Sequence, residues 1–505
     1  MTTILPSAKM VEIKGNNLVV VPHREDEVRV LRNLGFDAPA PMSYYYDWPG
    51  LYKPFQHQRI TAEFATLNPR CFILNGMGSG KSISVLWAFD YLRKQGRVRK
   101  MLIISPLSTL ERTWGDEIFR HMVDYQFAVL HGSREKRHKL LDQDFDIYII
   151  NHDGIKSKET LDKIMAKQDI DLVVVDEIAS FRNSSTERWK YLNRLVNGDA
   201  KAGILPMEWV WGLTGTPTPN EPTDAWAQCR LINPSKVPKF FSHFRDSVMQ
   251  KRTQFKWEAR KNAINIVSEA MQPSVRFARE DCIDLPPTTY MTRQAELTPE
   301  QRRAYKEMVT RLTTEVGSGQ ITAVNEAVKL NKLLQITCGV VYGEDGSFDL
   351  PAGPRVELVR EIIDEAEAKV IVFVPFTGAL KMLASELRKD YTVEVINGSV
   401  SKTERDRIFG DFQKSKNPRV LVSVAAAMSH GLTLTASNTI VWYAPTTSNE
   451  VYEQANARIV RPGQKLNTLI VHIEGSDVER KMYERLQNKG RMQGLLLDML
   501  KNEKQ

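Results

Sequence analysis

A glycine-rich segment between an apolar run and a helical pattern has the composition of a phosphate-binding loop. The segment is Asn75-Gly76-Met77-Gly78-Ser79-Gly80-Lys81-Ser82, preceded by CFIL and followed by ISVLWAFDYL. Glycines let the backbone wrap closely around phosphates, which amide N–H groups bind at a helix N-terminus. Lys81 would reach the β- and γ-phosphates of ATP, and the Ser82 hydroxyl would bind Mg²⁺. The strict pattern has glycine in place of Asn75, so a strand–helix turn without a ligand is the alternative.

Two adjacent carboxylates, Asp176 and Glu177, follow the apolar run DLVVV downstream of this loop. A buried strand that delivers two carboxylates to its carboxyl end is the arrangement that ATP hydrolysis requires. Asp176 would hold Mg²⁺, and Glu177 would orient and polarise the attacking water. An acidic pair after a strand is also common as a solvated turn, and the upstream phosphate loop favours the functional interpretation.

A third candidate site lies near the C-terminus, in the segment QANARIVRPGQ at 454–464. Its arginines, Arg458 and Arg461, are three residues apart and are predicted to share one face of a helix. Two guanidinium groups on one face suit an arginine finger, which stabilises a γ-phosphate. The alternative is an ordinary helix surface with solvated arginines.

Two blocks of alternating apolar runs and helical patterns must position these residues. The first block holds CFILN, MLIIS, FAVLH, DIYIIN, DLVVVDE and WVWGLTGT, and the second holds KVIVFVPF, TVEVING, RVLVSVAA, NTIVWYAP and TLIVHIEG. Such runs are typical of parallel strands covered on both faces, and an open α/β sheet binds its ligand at their carboxyl ends. The sequence therefore predicts an α/β fold with two parallel-sheet domains. The predicted segments are an N-terminal accessory module (1–50), the ATP-binding domain (51–235), a helical, basic region (236–350), the second sheet domain (351–475) and a C-terminal helix with its tail (476–505).

The charge balance is compatible with a polyanionic partner. The net charge is +8 and the pI is about 9.1, values that enzymes with small anionic substrates also reach. Within the basic region, QKRTQFKWEARK offers Lys251, Arg252, Lys256 and Arg260 as DNA contacts. The alternative is a solvated helix face that Trp257 anchors to the core.

The composition argues against several other classes of protein. The cysteines lie far apart without C-x-x-C pairing, which supports neither a zinc site nor a disulfide framework; they are Cys71, Cys229, Cys282 and Cys338. No apolar run approaches the ~20 residues of a membrane helix, and the N-terminus lacks a signal peptide. We therefore expect a soluble intracellular protein that does not bind membranes. The sequence leaves its oligomeric state open, a monomer included.

From Leu51 to Gln464 the motifs occur in the order of the superfamily-two helicases, and the chain resembles the Swi/Snf-like branch of DNA translocases. NGMGSGKS resembles motif I, DEIASFRN motif II, LTGTP motif III, VFVPF motif IV and QANARIVRPGQ motif VI. The resemblance implies two RecA-like domains that use ATP and Mg²⁺. Motif III would couple the nucleotide state to DNA.

The resemblance also implies roles for residues that spacing alone does not single out. PFQ at 54–56 implies that Gln56 reads the adenine, although Gln58 is close enough to compete. SPLSTLERTW, similar to motif Ia, implies DNA contacts at Ser105 and Pro106. SVAAAMSHGLTL, similar to motif V, implies that Ser423 lies near DNA and Gly431 near the nucleotide.

The chain departs from the family pattern at four positions. Ile178 and Ala179 replace a small residue and a histidine, Val460 replaces a common histidine, and Asn456 stands where an acidic residue is frequent. We still expect ATP hydrolysis, because the lysine, both carboxylates and both arginines are present.

The resemblance is strongest to compact phage-type helicases, which would work in the cytoplasm of a bacterial host. It implies ATP-dependent remodelling of branched DNA, by unwinding or branch migration, on duplex, forked or four-way DNA. Three alternatives remain: an RNA helicase, the motor subunit of a restriction or repair complex, and a nucleic-acid-binding scaffold without catalytic activity.

Overall fold

The computed structural model describes residues 4–13, 16–253, 257–278, 282, 285–311, 313–316, 319–322, 326–343, 346–428, 433–461 and 463–502. The chain divides into two compact units, Met1–Cys282 with Gln493–Gln505, and Ile283–Met492. The boundary falls inside the predicted basic region 236–350, which is therefore shared between the two units. Lys256 and Gly431, two of the predicted site residues, lie outside the described residues.

The first unit is built on a parallel sheet. The strands of this unit are β1 Lys9–Ile13, β2 Asn16–Val20, β3 Arg70–Ile73, β4 Lys100–Ser105, β5 Phe127–Leu130, β6 Ile147–Asn151, β7 Ile170–Asp176, β8 Trp209–Leu213, β9 Met249–Lys251, β10 Trp257–Ala259 and β11 Ser274–Val275. Within the described residues, seven of them form one sheet in the order β11-β3-β8-β7-β4-β6-β5, and every neighbouring pair is parallel. The six apolar runs predicted for this block correspond to β3 through β8.

The helices cover both faces of this sheet. They are α1 Glu25–Asn33, α2 Met42–Tyr45, α3 Gln56–Leu67, α4 Lys81–Lys94, α5 Asp116–His121, α6 Arg134–Leu141, α7 Lys158–Ala166, α8 Glu187–Asn197, α9 Asp224–Ile232, α10 Phe241–Val248 and α11 Ala263–Ala270. In β4, Met101 and Ile103 enter one hydrophobic core, and Leu102 and Ile104 enter the other. Each strand must therefore be apolar on both faces, which is why these runs do not alternate with polar residues.

The N-terminal segment packs against this unit through α1. Val28 is buried with Ala40 and Leu67, Arg29 Nε donates to Leu67 O at 2.8 Å, and the Tyr91 hydroxyl donates to Glu25 Oε1 at 2.5 Å. A short amphipathic helix gains its stability from such packing.

The described residues of this basic segment, 250–253 and 257–261, do not form the helix that was the alternative to a DNA contact. The strands β9 and β10 pair as an antiparallel hairpin, with Trp257 opposite Lys251. Trp257 is half-buried against the core, and the Arg245 guanidinium carbon lies 4.2 Å from the centre of its ring. Trp257 therefore anchors the segment as expected, although on a strand.

The second unit repeats the parallel architecture. Its strands are β12 Thr288–Gln294, β13 Thr313–Val316, β14 Gly319–Thr322, β15 Val340–Gly343, β16 Gly346–Asp349, β17 Lys369–Phe373, β18 Val393–Ile396, β19 Val420–Ser423, β20 Ser437–Trp442 and β21 Thr468–Glu474. Six of the described strands form a parallel sheet in the order β12-β21-β20-β17-β19-β18. Its helices are α12 Pro299–Arg311, α13 Glu326–Cys338, α14 Gly353–Glu365, α15 Thr377–Leu387, α16 Lys402–Lys414 and α17 Asn449–Asn456. The last helix, α18 Asp477–Asn502, begins in this unit, and its residues from Gln493 onward are assigned to the first unit.

Short helical turns connect several of these elements. They span Leu107–Thr109, Leu110–Gly115, Gly154–Lys156, Ile178–Phe181, Ala200–Ala202, Pro234–Lys236 and Ala425–Met428. Among the described helices of both units, none is both long and apolar enough to cross a membrane.

Candidate active site

The glycine-rich loop joins β3 to the N-terminus of α4. Gly78 and Gly80 have φ angles of +79° and +78°, in the left-handed region that glycine adopts at little cost. A Cβ at Gly80 would also lie 2.2 Å from Gln58 Nε2. The loop therefore needs glycine at this position for two independent reasons, backbone conformation and space.

Asn75 occupies the position where the strict phosphate-loop pattern has glycine, and both the oxygen and the nitrogen of its buried side chain form hydrogen bonds. Its Nδ2 donates to Thr61 Oγ1 at 2.7 Å, and its Oδ1 accepts from the backbone N–H of Phe277 at 2.9 Å. These bonds tie the base of the loop to α3 and to the chain beyond β11. The departure from the pattern is thus a structural feature of this unit.

Lys81 lies inside the curve of the loop. Its Nζ donates to the carbonyls of Asn75 at 2.9 Å and Gly76 at 3.2 Å. Ser82 follows it in the first turn of α4 and is half-buried. The lysine is thus placed among the backbone groups that would surround a phosphate.

The glutamine that packs against the loop is Gln58. Gln56 is exposed, whereas Gln58 is buried, accepts from the backbone N–H of Phe55 at 3.0 Å and donates to Ser79 O at 3.3 Å. His57 Nε2 lies 2.8 Å from the same carbonyl. Of the two candidates that the sequence left open, Gln58 is therefore the one that contacts the phosphate loop, and Gln56 is exposed to solvent.

Asp176 ends β7 with a partly buried carboxylate held from two sides. Trp114 Nε1 donates to Oδ2 at 3.0 Å, and the backbone N–H of Glu177 donates to Oδ1 at 3.0 Å. Burial raises the pKa of Asp176, and the Trp114 hydrogen bond and the Lys81 charge oppose this rise. A cation bound beside this carboxylate would offset the cost of its burial.

Glu177 is positioned by a threonine from motif III. It adopts a left-handed φ of +52°, and its Oε1 accepts from Thr214 Oγ1 at 2.6 Å. Thr214 follows β8, which lies between β3 and β7, so the loop, the carboxylates and motif III meet at one sheet edge. A Cβ on Gly215 would lie 3.4 Å from Met77 Cγ, so motif III also packs against the phosphate loop.

Two of the departures from the family pattern belong to the core beneath this edge. Ile178 and Ala179 are fully buried, and a Cβ on Gly212 would lie 2.8 Å from Ile178 Cδ1. An apolar residue at position 178 fills the space above the glycine of β8. These side chains therefore support the carboxylate pair and do not face a ligand.

The arginine pair of the second unit does not share a helix face, contrary to the prediction. The helix α17 ends at Asn456, and Arg458 and Arg461 lie in the turns beyond it. Arg458 is buried and its Nε donates to Gln454 O at 2.8 Å, whereas Arg461 is half-buried.

The other two departures, Asn456 and Val460, lie in the same segment and are buried. Asn456 Oδ1 accepts from Trp442 Nε1 at 2.9 Å, which fixes the end of α17 on the sheet. Val460 belongs to the apolar core beside β20.

The predicted DNA-contacting residues fall into two groups. The side chains of Ser105, Pro106 and Ser423 are buried, and Ser423 Oγ donates to the carbonyls of Ile396 and Val424, both at 3.1 Å. They are therefore not exposed in this conformation: Ser105 and Ser423 end strands with their side chains buried, and Pro106 is buried directly after β4. Lys251 is exposed, as are Arg252, which pairs with Glu258 at 2.8 Å, and Arg260, which donates to the carbonyls of Asp246 and Met249.

Sequence reasoning missed two residues that contact the carboxylates. Trp114 lies in the segment resembling motif Ia, and Thr214 lies in LTGTP, yet neither received a role of its own. Their position within two motif-like segments was the signal that could have marked these residues as part of the site. Neither contact could be read from spacing, because the partners are far apart in the chain.

The first unit has a phosphate loop and a carboxylate pair at the carboxyl edge of one parallel sheet, and the same chain has a second parallel-sheet unit. This combination is typical of helicase-type enzymes that use ATP. The chain belongs to the SNF2-related domain family. Residues 56–338 match the SNF2-related domain, and residues 354–463 match the helicase conserved C-terminal domain.

Several curated proteins are similar over most of the chain. "Putative protein p41" of Acyrthosiphon pisum secondary endosymbiont phage 1 is 24% identical over 476 residues, which are 89% of this chain and 99% of that protein. An uncharacterized ATP-dependent helicase of Mycoplasma pneumoniae is 24% identical, covering 79% of this chain and 37% of that protein. ATP-dependent DNA helicase DDM1 of Arabidopsis thaliana is 25% identical, covering 83% and 58%. The chain thus spans about the whole phage relative and much less of the other two.

Among solved structures, the Sulfolobus solfataricus SWI2/SNF2 ATPase core in complex with dsDNA matches with a TM-score of 0.43 and 22% sequence identity. The match covers 90% of this chain and 94% of that chain.

Proposed function

We propose that this chain is a DNA-dependent ATPase that translocates on duplex or branched DNA and remodels it by unwinding or branch migration. The observation that carries the ATPase part is the contact between Thr214 and Glu177 beside the phosphate loop. It connects the residue that would polarise water to the motif expected to respond to DNA.

The residues at the sheet edge suit ATP hydrolysis. The amides of residues 76–82 and Lys81 would bind the phosphates, while the Ser82 hydroxyl and the Asp176 carboxylate are the oxygen ligands that Mg²⁺ prefers. Bound there, Mg²⁺ would neutralise charge on the phosphate oxygens. Glu177 would orient the water that attacks the γ-phosphorus as the bond to ADP breaks.

We propose DNA as the nucleic acid on which the enzyme translocates, because of the positive charge of the chain and the names of its relatives. The net charge of +8 and the exposed Lys251 and Arg252 suit a phosphate backbone, and one relative of this chain is named an ATP-dependent DNA helicase. Contacts to phosphates make binding salt-sensitive and largely independent of base sequence. Preference for forks or junctions is the finer part of the proposal, supported by the resemblance to compact phage-type helicases.

The experiment that tests the proposal is steady-state ATP hydrolysis without nucleic acid and with single-stranded DNA, duplex, a fork, a four-way junction or RNA. We expect duplex DNA to stimulate turnover and branched DNA to stimulate it more. Equal stimulation by plain duplex would reduce the proposal to a general translocase. Stimulation by RNA alone, or no hydrolysis under any condition, would contradict it.

A further inference from the structure

One short stretch of the first unit is strongly basic. Residues 236–261 contain eight Lys and Arg side chains and two acidic ones, which gives this stretch a net charge of +6. Positive charge collected on one face is the electrostatic footprint of a nucleic-acid contact. The same stretch also exposes phenylalanine, which phosphate binding alone does not require.

Two adjacent phenylalanines stand out from this surface. Phe240 is 59% exposed and Phe241 is 42% exposed, whereas Phe244 and Val248 form the buried face of α10. The Lys239 ammonium lies 5.8 Å from the centre of the Phe240 ring, and the His243 ring lies 5.8 Å from the same ring. We refer to residues 239–243 as the aromatic step.

The aromatic step packs against the buried Trp226 of α9. The Phe241 ring packs edge-on against Trp226 at 5.6 Å, and Trp226 Nε1 donates to Pro238 O at 2.8 Å. Trp226 lies in the first turn of α9, where Gln228 Nε2 donates to Pro217 O, in motif III, at 2.6 Å. The aromatic step is thus connected through α9 to motif III, whose Thr214 contacts Glu177.

We propose that the aromatic step binds single-stranded DNA, with bases stacked on Phe240 and Phe241 and phosphates held by Lys239 and the neighbouring cations. A phenyl ring offers a flat apolar face and no hydrogen bond. Bases in a duplex already stack on each other, so only unpaired bases present a matching face. The cations bind phosphates of either form, and the rings therefore supply the preference for single strands.

The choice of DNA rests on the proposed function, and the consequence for that function is strand separation. An enzyme that translocates along intact duplex without separating the strands needs no surface that binds unpaired bases. A surface that holds one separated strand beside motif III would keep the strands from re-annealing behind the motor.

The test is the affinity for a labelled oligothymidylate and for a labelled blunt duplex, measured by fluorescence anisotropy at several salt concentrations. Phe240→Ala/Phe241→Ala is expected to weaken oligothymidylate binding about tenfold or more. Duplex affinity and the salt dependence of both affinities should be unchanged, because no cation is removed. Lys239→Ala should weaken binding to both DNAs and reduce the salt slope by about one phosphate contact.

Two further variants guard against misfolding. Phe240→Ala alone leaves the contact between Phe241 and Trp226 intact, and Phe36→Ala removes a 52% exposed phenylalanine elsewhere in the first unit. The first should lose oligothymidylate affinity, and the second should keep it. Unchanged oligothymidylate affinity in both variants of the aromatic step, or an equal loss on duplex, would overturn this inference. If duplex still stimulated ATP hydrolysis, the motor function would stand without it; wild-type protein that bound neither DNA would contradict both.

Discussion

The hydroxyl of Thr214 donates a hydrogen bond to Glu177 Oε1 at 2.6 Å, although the two residues belong to different strand ends. The distance lies at the short end of the range for a hydroxyl–oxygen hydrogen bond. Thr214 Oγ1 also accepts from the backbone N–H of Thr216 at 3.1 Å, so a movement of the motif III backbone would displace the carboxylate. This bond connects motif III directly to the carboxylate that, in the proposed function, would polarise the attacking water.

Thr214→Val should therefore slow ATP turnover while leaving ATP binding nearly unchanged. The valine keeps the shape of the side chain and removes the bond to Glu177. A hydrogen bond to a charged group contributes about 1.5–3 kcal/mol, so kcat should fall by roughly one to two orders of magnitude. Thr66→Val is the control, because the Thr66 hydroxyl bonds the Glu63 carbonyl of α3 at 2.8 Å. An unchanged kcat in Thr214→Val would contradict this role.

Trp114→Phe should move the acid limb of the pH–rate profile to higher pH. The Trp114 hydrogen bond lowers the pKa of Asp176, so its loss lets burial raise that pKa further. The carboxylate is then protonated at a higher pH as the solution is acidified. The measurement is kcat/KM for ATP across the acid range. Trp211→Phe is the matched control, since Trp211 Nε1 donates to Asn68 O instead; an equal shift in the control would count against the interpretation.

Lys81→Ala should abolish ATP turnover and retain most of the DNA affinity. The lysine sits among the loop carbonyls, where a phosphate would lie, and the exposed cations of residues 236–261 are untouched. ATPase assays and DNA-binding anisotropy on the same preparation measure the two effects. Normal hydrolysis by this variant would show that the site is assigned wrongly.

Arg461→Ala should reduce hydrolysis much more than ATP binding if Arg461 serves as an arginine finger. A guanidinium that stabilises the transition state contributes to kcat rather than to ground-state affinity. Arg458 is the contrasting position, because it is buried and bonded to Gln454 O, so its replacement should also lower stability. Turnover per bound ATP and the thermal midpoint of both variants separate these effects.

The second unit should lose stability as the pH falls, through His472. This histidine is buried, its Nε2 lies 2.8 Å from the Tyr452 hydroxyl, and desolvation lowers its pKa to about 4. In the unfolded chain the pKa of histidine is about 6.5, so as the pH falls below that value the unfolded state binds a proton more readily than the folded state does. Between about pH 7.5 and about pH 5 this costs about 2 kcal/mol of unfolding free energy.

His472→Gln removes this titration and should flatten the pH dependence by that amount. Urea unfolding of both proteins at the two pH values measures the difference. The loss of ring stacking on Tyr483 lowers the variant's stability equally at both pH values, so the comparison concerns only the slope. Parallel slopes would contradict the assignment.

Local sequence patterns were sufficient for most of the fold. The eleven predicted apolar runs are strands of the two parallel sheets, because residues such as those of β4 must be apolar on both faces. The strands β11 and β12 were not predicted, since two residues and an exposed edge carry no such pattern. The hairpin at 249–259 was also missed, because its charged residues fit an exposed strand as well as an exposed helix.

The chemistry proposed for the site could be predicted from local sequence. The order Gly, Lys, Ser after one strand and Asp, Glu after another predicts phosphate and cation binding, because this prediction needs only residue types and local spacing. The groups that tune that chemistry could not be predicted in this way. Thr214 contacts Glu177 because β8 and β7 are neighbours in the sheet. Trp114 contacts Asp176 because it lies in the turns after β4, which is the other neighbour of β7. Such contacts join residues distant in the chain, and a hydrogen bond between them follows from strand order and not from any local pattern.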